Sequence, residues 1–355
     1  MTRLFYCDPF GCTAPENLYN FGTSERELNY IFLHDQEPIH LDIHKPLFDK
    51  VVQRNLDLNY GKDRYLNQPI KQQALVCSEY NSEAVKEVER LYHWKAYHYF
   101  FHGWAALDWY RGYDRTFLMS EPGHRTMEYS VFSPNRIIGG RRDHRVLLMY
   151  WIAKYNIRNH NISCPSVCPV EHTSIQDIAV KYQTQYSDIV EQINKLDLPW
   201  CYPGEDDHPM HSCWLSLFDQ AERSLTYLVT ETLYFGQRNH LTEKTFKPIC
   251  LRMPFIIASN AGSLAYLRSY GFKTFHDLWD ESYDLETNDL IRMEKIAKLV
   301  QSLDSMPQIE LQELHQATQL IVEHNYNHFY NGGFEKILWQ ELTDMLESIR
   351  NDFDI

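Results

Sequence analysis

Residues 225–275 read LTYLVTETLYFGQRNHLTEKTFKPICLRMPFIIASNAGSLAYLRSYGFKTF, and this stretch indicates the fold of the chain. Its first apolar run, Leu225–Thr230, is rich in β-branched and aromatic residues and predicts a buried strand. A polar loop then leads into a helix predicted over Glu243–Arg252. A second apolar run, Pro254–Ala258, ends in the small-residue turn 259–263. Strand, loop, helix and strand form the unit from which α/β domains are built.

The loop before the predicted helix ends in a hydroxyl, an acid and a base: Thr242, Glu243 and Lys244. A carboxylate can accept hydrogen bonds from two neighbouring ribose hydroxyls. An ammonium group and the N-terminus of a helix both stabilise phosphate, and Thr242 is a suitable N-cap for that helix. The combination favours a nucleotide-sugar enzyme. The alternative is an ordinary exposed helix start, because Thr-Glu-Lys alone is a weak motif.

Bulk composition is that of a globular chain long enough for two domains. It has 355 residues, 44% hydrophobic and 23% charged. No apolar run is long enough to span a bilayer, and the N-terminal sequence MTRLFYCDPFG lacks the features of a secretion signal. We therefore expect a cytoplasmic protein, in the host cytoplasm if it is encoded by a phage. The formal charge of −14 disfavours non-specific binding to nucleic acid or to an anionic membrane.

Alternating β and α patterns suggest two Rossmann-like domains. Residues 1–125 form the predicted N-terminal, acceptor-binding domain, and the Pro, Gly and charged residues near 120–128 are typical of a linker. Residues 126–330 form the predicted donor-binding domain, which includes a predicted insertion at 165–220 that contains one amphipathic helix (Ile175–Leu196). The helix within 331–355 is expected to pack back toward the first domain.

The sequence LTEKTFKPICLRMPFIIASNAGSLAYL, residues 241–267, resembles the C-terminal signature of the α1,3-fucosyltransferase-like glycosyltransferases. It also resembles glycosyltransferase-like proteins of large DNA viruses and tailed phages. The similarity is close over residues 225–275 and looser over the arginine-rich loop 136–145. The resemblance implies a GT-B fold, in which two Rossmann-like domains face a cleft and ligands bind at the C-terminal ends of both sheets.

The resemblance also implies roles for residues of the donor site. Glu243 would hold the ribose hydroxyls of the donor and Lys244 would contact its phosphate, with Thr242 at the N-terminus of the helix. Asn260, in the turn after the second strand, is a further candidate donor ligand. The donor would be a nucleoside-diphosphate sugar, and we expect no metal or other cofactor.

A second set of candidate donor ligands surrounds Gly139–Gly140. Glycines let a backbone approach a ligand closely, and arginines bind phosphate with two parallel hydrogen bonds. In GT-B enzymes the corresponding loop stabilises the leaving diphosphate without a metal. Arg142 and Arg145 are favoured because they lie at the start of a predicted helix, and the alternative for the others is a solvated surface. The set is Arg136, Arg141, Arg142 and Arg145.

Acceptor activation requires a base, and two places in the sequence offer one. Asp35 and Glu37 follow the predicted strand Asn29–Leu33, although an acid here could simply cap the turn before Pro38. Asp108 is the second choice because its aromatic neighbours are suited to stacking against sugars. The alternative for that segment is an aromatic helix that packs on a core.

Cysteine and histidine residues raise the question of a zinc site. Cys164, Cys168, Cys201 and Cys213, with His208 and His211, could supply four ligands. Their spacing lacks the tight C-x2-C pairs of strong zinc motifs, so buried, reduced cysteines are the preferred interpretation.

The sequence therefore predicts a glycosyltransferase, a hexosyl- or pentosyltransferase of phage or viral type, whose acceptor is a glycan, a protein or modified DNA. One alternative is a phage enzyme that modifies a hydroxymethylated DNA base. The charge of −14 weighs against it, while Lys95, Arg111 and Arg115 near the aromatic stretch favour it. The other alternative is a nucleotide-sugar-binding protein that has lost transfer activity.

Overall fold

A computed structural model describes residues 2–7, 18–21, 29–34, 38–42, 45–46, 48–49, 73–110, 126–202, 215 and 217–353. The chain is α/β with two sheets dominated by parallel strands, as predicted, and it divides into two compact units. Unit 1 comprises Met1–Trp104, Gln237–His240 and Lys336–Ile355, and unit 2 comprises Ala105–Gly236 and Leu241–Glu335. The expected boundary at residue 125 stays a prediction, because residues 111–125 lie outside the described ones.

Unit 1 contains a five-stranded sheet of order β2-β1-β3-β4-β5, in which only β2 is antiparallel to its neighbour. Strands β3, β4 and β5 end in one row, because His34 is paired with Cys77 and Cys77 with His98. The carboxyl ends of these three strands therefore form one edge. The strands are β1 (Thr2–Cys7), β2 (Leu18–Phe21), β3 (Asn29–His34), β4 (Gln73–Cys77) and β5 (Lys95–His98).

Both faces of strand β4 are buried. Leu75 and Cys77 point to a cluster that includes Val88 of helix α1 (Glu83–Tyr92). Ala74 and Val76 point to the other face, where Ile349 of helix α11 (Gly333–Phe353) packs. The alternation of side chains along a strand produces this division. Helix α2 (Phe101–Tyr110) begins directly after this sheet.

Unit 2 contains a four-stranded, fully parallel sheet of order β7-β6-β8-β9. All seven residues of β8 are buried, as expected for a parallel strand that is covered on both faces. The chain passes from β6 to β7 on one side and from β8 to β9 on the other. The connections that follow the adjacent strands β6 and β8 therefore diverge. The strands are β6 (Tyr129–Ser133), β7 (His160–Ile162), β8 (Ser224–Thr230) and β9 (Phe255–Ala258).

The helices of unit 2 cover this sheet and extend beyond it. Helix α3 (His144–Lys154) has no polar face, as expected of a helix that is buried almost all round. The single helix predicted over Ile175–Leu196 is wrong: α4 and α5 are separate and short. The intervening segment KYQTQYSD has no aliphatic residue, and Asp188 at its end accepts a hydrogen bond from Tyr150. The helices are α3 (His144–Lys154), α4 (Ile175–Val180), α5 (Ile189–Ile193), α6 (Phe218–Glu222), α7 (Glu243–Cys250), α8 (Ser263–Ser269), α9 (Asp289–Asp304) and α10 (Gln308–Tyr330).

Within the described part of the chain, no helix has the length and apolar character needed to cross a membrane.

Candidate functional site

The candidate site lies at the carboxyl ends of β6 and β8 in unit 2. The chain leaves these adjacent strands toward opposite sides of the sheet, so their connections part and open a crevice. Open α/β sheets bind ligands at such a switch point. The two loops involved, 134–143 and 231–242, carry four of the eight donor-site residues predicted from the sequence. Three more, Arg145, Glu243 and Lys244, lie at the starts of the helices that follow these loops.

Glu231, the first residue after β8, organises the beginning of helix α7. Its buried carboxylate accepts hydrogen bonds from the backbone N–H of Thr242 at 3.0 Å and from the Thr242 hydroxyl at 2.6 Å. The Thr245 hydroxyl donates at 2.6 Å, and the backbone N–H of Thr232 at 3.1 Å. Glu231 is not among the site residues predicted from the sequence, although an acid directly after a buried strand at a switch point is a recognisable signal.

Lys244 brings a positive charge to this crevice. Its Nζ atom lies 2.8 Å from Glu243 Oε1, 3.2 Å from the Thr232 hydroxyl and 3.3 Å from the Thr242 hydroxyl. Thr242 caps α7 by accepting a hydrogen bond from the backbone N–H of Lys244. The side chain of Lys244 is 26% exposed and that of Glu243 only 4%. Lys244 is therefore the residue of this motif best placed to meet an anion.

Arg145 is an internal link between the two loops. Its guanidinium donates to the carbonyl oxygen of Ile137 at 2.7 Å and to that of Thr230 at 2.8 Å. Burial, with a smaller effect from the charge of Arg142, lowers the pKa of Arg145 to about 9. The Thr230 hydroxyl donates to Asn135 Oδ1 at 2.6 Å and strengthens the same connection. Both terminal nitrogens of Arg145 thus donate to backbone carbonyl oxygens. The role of Arg145 as a phosphate ligand stays a prediction.

The other three arginines of this loop are more accessible. Arg141 is exposed, and Arg136 and Arg142 are partly buried. Arg142 donates no side-chain hydrogen bond and forms no ion pair with the residues that the structure describes. Its charge helps to lower the pKa of Arg145 and also that of the buried His144, for which burial is the main cause. Arg142 is thus the guanidinium of this loop best suited to bind an anion.

A carboxylate lies directly over the glycines of this loop. A Cβ atom added to Gly139 would lie 2.7 Å from Glu171 Oε2, and one added to Gly140 would lie 2.8 Å from Glu171 Oε1. The Cys168 thiol donates to the same carboxylate at 2.5 Å. Gly140 also has φ of +60°, a left-handed conformation that glycine tolerates best. The loop therefore allows a pair of anionic oxygens to approach its backbone closely.

Asn260 lies at the end of β9, and its amide is used within the fold. The Nδ2 group donates to the carbonyl oxygens of Phe235 at 3.1 Å and Gly236 at 2.9 Å. Arg292 reinforces this arrangement by donating to the carbonyl oxygens of Ser259 and Tyr234. These bonds hold the turn after β9 against the loop after β8. A direct contact between Asn260 and a donor stays a prediction.

The predicted bases and metal ligands are described only in part. Asp35 and Glu37 lie outside the described residues, and Asp108 is an exposed residue of α2. Cys164 and Cys168 are buried free thiols and Cys201 is exposed, whereas Cys213, His208 and His211 lie outside the described residues. Among the residues described, no three His, Cys, Asp or Glu side chains are grouped so that they could hold a metal ion.

The two loops at the carboxyl ends of β6 and β8, with the helix starts that follow them, thus carry the Arg142 guanidinium, the Lys244 ammonium and the N-terminus of α7. These are groups that bind phosphate. The carboxylate of Glu243 adjoins them and could accept hydrogen bonds from hydroxyl groups. Comparisons with models of protein families, with curated proteins and with solved structures yield no match.

Proposed function

We propose that unit 2 binds a nucleoside-diphosphate sugar and that the chain is a glycosyltransferase of the GT-B class. The observation that carries the proposal is the position of Lys244. Its ammonium lies beside the capped N-terminus of α7 and contacts Thr232 in the loop that follows β8, at the switch point of a parallel sheet. The resemblance of residues 241–267 to glycosyltransferases supports the same function.

The chemistry assigned to this site is stabilisation of a leaving diphosphate. In the transfer, an acceptor oxygen bonds to the anomeric carbon while the bond from that carbon to the phosphate oxygen breaks. The electron pair of the broken bond stays on the diphosphate, and a base takes the acceptor proton. Lys244 and Arg142 would neutralise the developing charge. Removing one such group typically costs about 10²–10³ in rate.

The Glu243–Lys244 contact gives a way for one movement to prepare both halves of the donor site. Lys244 Nζ lies 2.8 Å from Glu243 Oε1. When the ammonium turns toward a phosphate, that oxygen becomes able to accept a hydrogen bond from a ribose hydroxyl. Ribose and phosphate would then be recognised together, which favours a nucleotide over inorganic phosphate.

Calorimetry and thermal shift with UDP, GDP, ADP, CDP and dTDP test the proposal. We expect one nucleotide to raise the unfolding temperature, because a ligand that binds only the folded state stabilises it by mass action. Lys244→Met and Arg142→Met should each weaken that binding by about 10- to 100-fold, since each removes a charged hydrogen bond. Lys298→Met is the matched control because its ammonium is exposed on α9.

The results separate an enzyme from a binding protein. Nucleotide binding followed by release of the diphosphate from a nucleotide sugar supports a transferase. Binding without turnover would indicate a protein that retains only the donor site. If no nucleotide binds, or if both methionine variants bind as tightly as the control, the donor site is assigned to the wrong residues.

A further inference from the structure

The turn formed by residues 168–173 of unit 2 carries Glu171. Two backbone hydrogen bonds close this turn: the N–H of Cys168 donates to the carbonyl oxygen of Thr173 at 2.9 Å, and the N–H of His172 donates to that of Cys168 at 2.9 Å. The backbone around Glu171 is therefore held in place, whereas the residue itself is exposed. Its carboxylate can consequently change position by rotation of the side chain alone.

The carboxylate of Glu171 spans both glycines of the loop that follows β6. Its Oε2 atom would lie 2.7 Å from a Cβ atom on Gly139, and its Oε1 atom would lie 2.8 Å from one on Gly140. The carboxylate therefore lies there because neither residue has a side chain. Carboxylate and phosphate present paired oxygens in a similar way, which is why one guanidinium fork binds either group. The backbone that a diphosphate would approach is thus covered by an anion of the chain itself.

Few interactions hold this carboxylate in place. The Cys168 thiol donates to Oε2 at 2.5 Å, and a thiol is a weak donor. Among the residues that the structure describes, the Glu171 carboxylate has no other hydrogen-bond donor and forms no ion pair. Arg141 and Arg142 directly follow Gly140 in the sequence, and a diphosphate carries more negative charge than one carboxylate. The arginines therefore favour the diphosphate in an exchange of the two anions.

We infer that Glu171 competes with the diphosphate of the donor for the glycine loop, and that its carboxylate swings into solvent when a diphosphate binds. This inference rests on the proposed donor site and adds a regulation of that site. The affinity of every anion is lowered by the fraction of the time for which the carboxylate leaves the loop uncovered. Inorganic phosphate has no ribose or base to compensate, so it is excluded at low concentration. Return of the carboxylate also favours release of the diphosphate after transfer.

Calorimetry with inorganic pyrophosphate measures this competition. Glu171→Ala should bind pyrophosphate about 10-fold more tightly than the wild-type protein, as expected if the carboxylate covers the loop for about nine-tenths of the time. Glu171→Gln should tighten binding less, because its amide can still cover the glycines. Glu191→Ala is the matched control, since it removes an exposed acid of helix α5 in the same unit. It should bind pyrophosphate as the wild-type protein does.

Three results with pyrophosphate overturn the inference. Unchanged affinity in Glu171→Ala would show that the carboxylate does not compete with the anion. Weaker binding in Glu171→Ala would show that the carboxylate is part of the binding site. Binding to neither the wild-type protein nor Glu171→Ala would show that the uncovered loop does not hold an anion.

Cys168 should influence the competition only through Glu171. Cys168→Ala removes the donor that holds the carboxylate over the glycines, so it should tighten pyrophosphate binding by a smaller factor than Glu171→Ala does. In a Glu171→Ala background the same substitution should leave the affinity unchanged, because no carboxylate remains to be held. An effect of equal size in the two backgrounds would contradict this coupling.

Nucleoside diphosphates distinguish this inference from the proposed function. A nucleoside diphosphate that binds the wild-type protein as tightly as it binds Glu171→Ala refutes only the competition. The opposite case is pyrophosphate that binds Glu171→Ala more tightly than the wild type, while no nucleoside diphosphate binds either protein better than pyrophosphate does. That result refutes the nucleotide site and leaves an anion-binding loop that Glu171 covers.

Discussion

Thr242 donates twice to the carboxylate of Glu231, through its backbone N–H to Oε1 and through its hydroxyl to Oε2. The same hydroxyl oxygen accepts from the backbone N–H of Lys244 and caps helix α7. The residue that caps the helix is therefore held by the acid that directly follows β8. This relationship sets the position of Lys244 relative to the edge of the sheet.

Glu231→Gln should destabilise the protein even though it preserves the shape of the side chain. The new amide NH₂ replaces one of the carboxylate oxygens, each of which accepts from a backbone N–H. Whichever oxygen is replaced, one backbone N–H then faces another donor. We expect a loss of about 2–3 kcal/mol in the free energy of unfolding, measured by urea titration.

Glu313→Gln on helix α10 is the control for this substitution, because Glu313 is exposed. It should change the free energy of unfolding by less than about 0.5 kcal/mol. Equal stability of the two variants would contradict the organising role of Glu231.

Substitutions of Arg142 and Arg145 should have different effects. The first should change nucleotide binding, and the second should change the free energy of unfolding. Arg145→Lys loses the geometry that holds the carbonyl oxygens of Ile137 and Thr230, and should cost about 2–4 kcal/mol of unfolding free energy. Arg142→Met should weaken nucleotide binding with little loss of stability. Paired urea titration and calorimetry measure both effects. A stable Arg145→Lys protein would show that this link does not support the fold.

Gly139 and Gly140 should respond differently to alanine. Gly139→Ala displaces the Glu171 carboxylate, whereas Gly140→Ala also forces a side chain into the left-handed conformation, at about 1–2 kcal/mol. In a Glu171→Ala background the cost of Gly139→Ala should fall to the remainder set by Cys168 Sγ, which would lie 3.2 Å from the new Cβ atom, while most of the cost of Gly140→Ala should remain. Thermal unfolding of these variants as double-mutant cycles measures the difference. Equal relief at both glycines would contradict the assigned causes.

His160 should make the protein less stable at mildly acidic pH. Burial, which includes packing against Trp200, lowers its pKa to about 4, below the usual value of 6.5. Between these two values the unfolded chain binds the proton more readily, so stability falls as the pH falls from 6.5 toward 4. At pH 5 the contribution is on the order of 2 kcal/mol.

Urea titrations at pH 7.5 and pH 5.0 measure this effect. The loss of stability between the two pH values should be smaller in His160→Gln than in the wild-type protein by about that amount. Identical losses in the two proteins would show that the proton on His160 does not contribute.

Local patterns predicted much of unit 2. The runs that form β8 and β9 are buried over their whole length, and Thr242 caps α7 as its residue type and position suggest. These elements form from residues that are close together in the sequence, so their patterns can be recognised there. The break between α4 and α5 was missed because it depends partly on the Tyr150–Asp188 hydrogen bond, which joins distant parts of the chain.

The roles of individual arginines could not be predicted in the same way. Arg142 and Arg145 are close in sequence and have the same chemistry, yet only Arg145 reaches the carbonyl oxygen of Thr230. That oxygen lies on a strand distant in the sequence, so tertiary structure decides which guanidinium is buried. The pairing of His98 with Glu341 was hidden for the same reason.

Unit 1 is built from segments that are far apart in the chain, and this has a consequence for its folding during synthesis on the ribosome. Strands β4 and β5 are made before the whole of unit 2, but Ile349 and its neighbours on α11, which cover one face of these strands, are made after it. Tyr97 and Tyr99 therefore lack this cover until α11 has left the ribosome. The last residue of unit 2 is Glu335, so the core of unit 2 can form while α11 is still in the exit tunnel. We therefore expect unit 1 to finish folding after unit 2, although most of unit 1 is translated first.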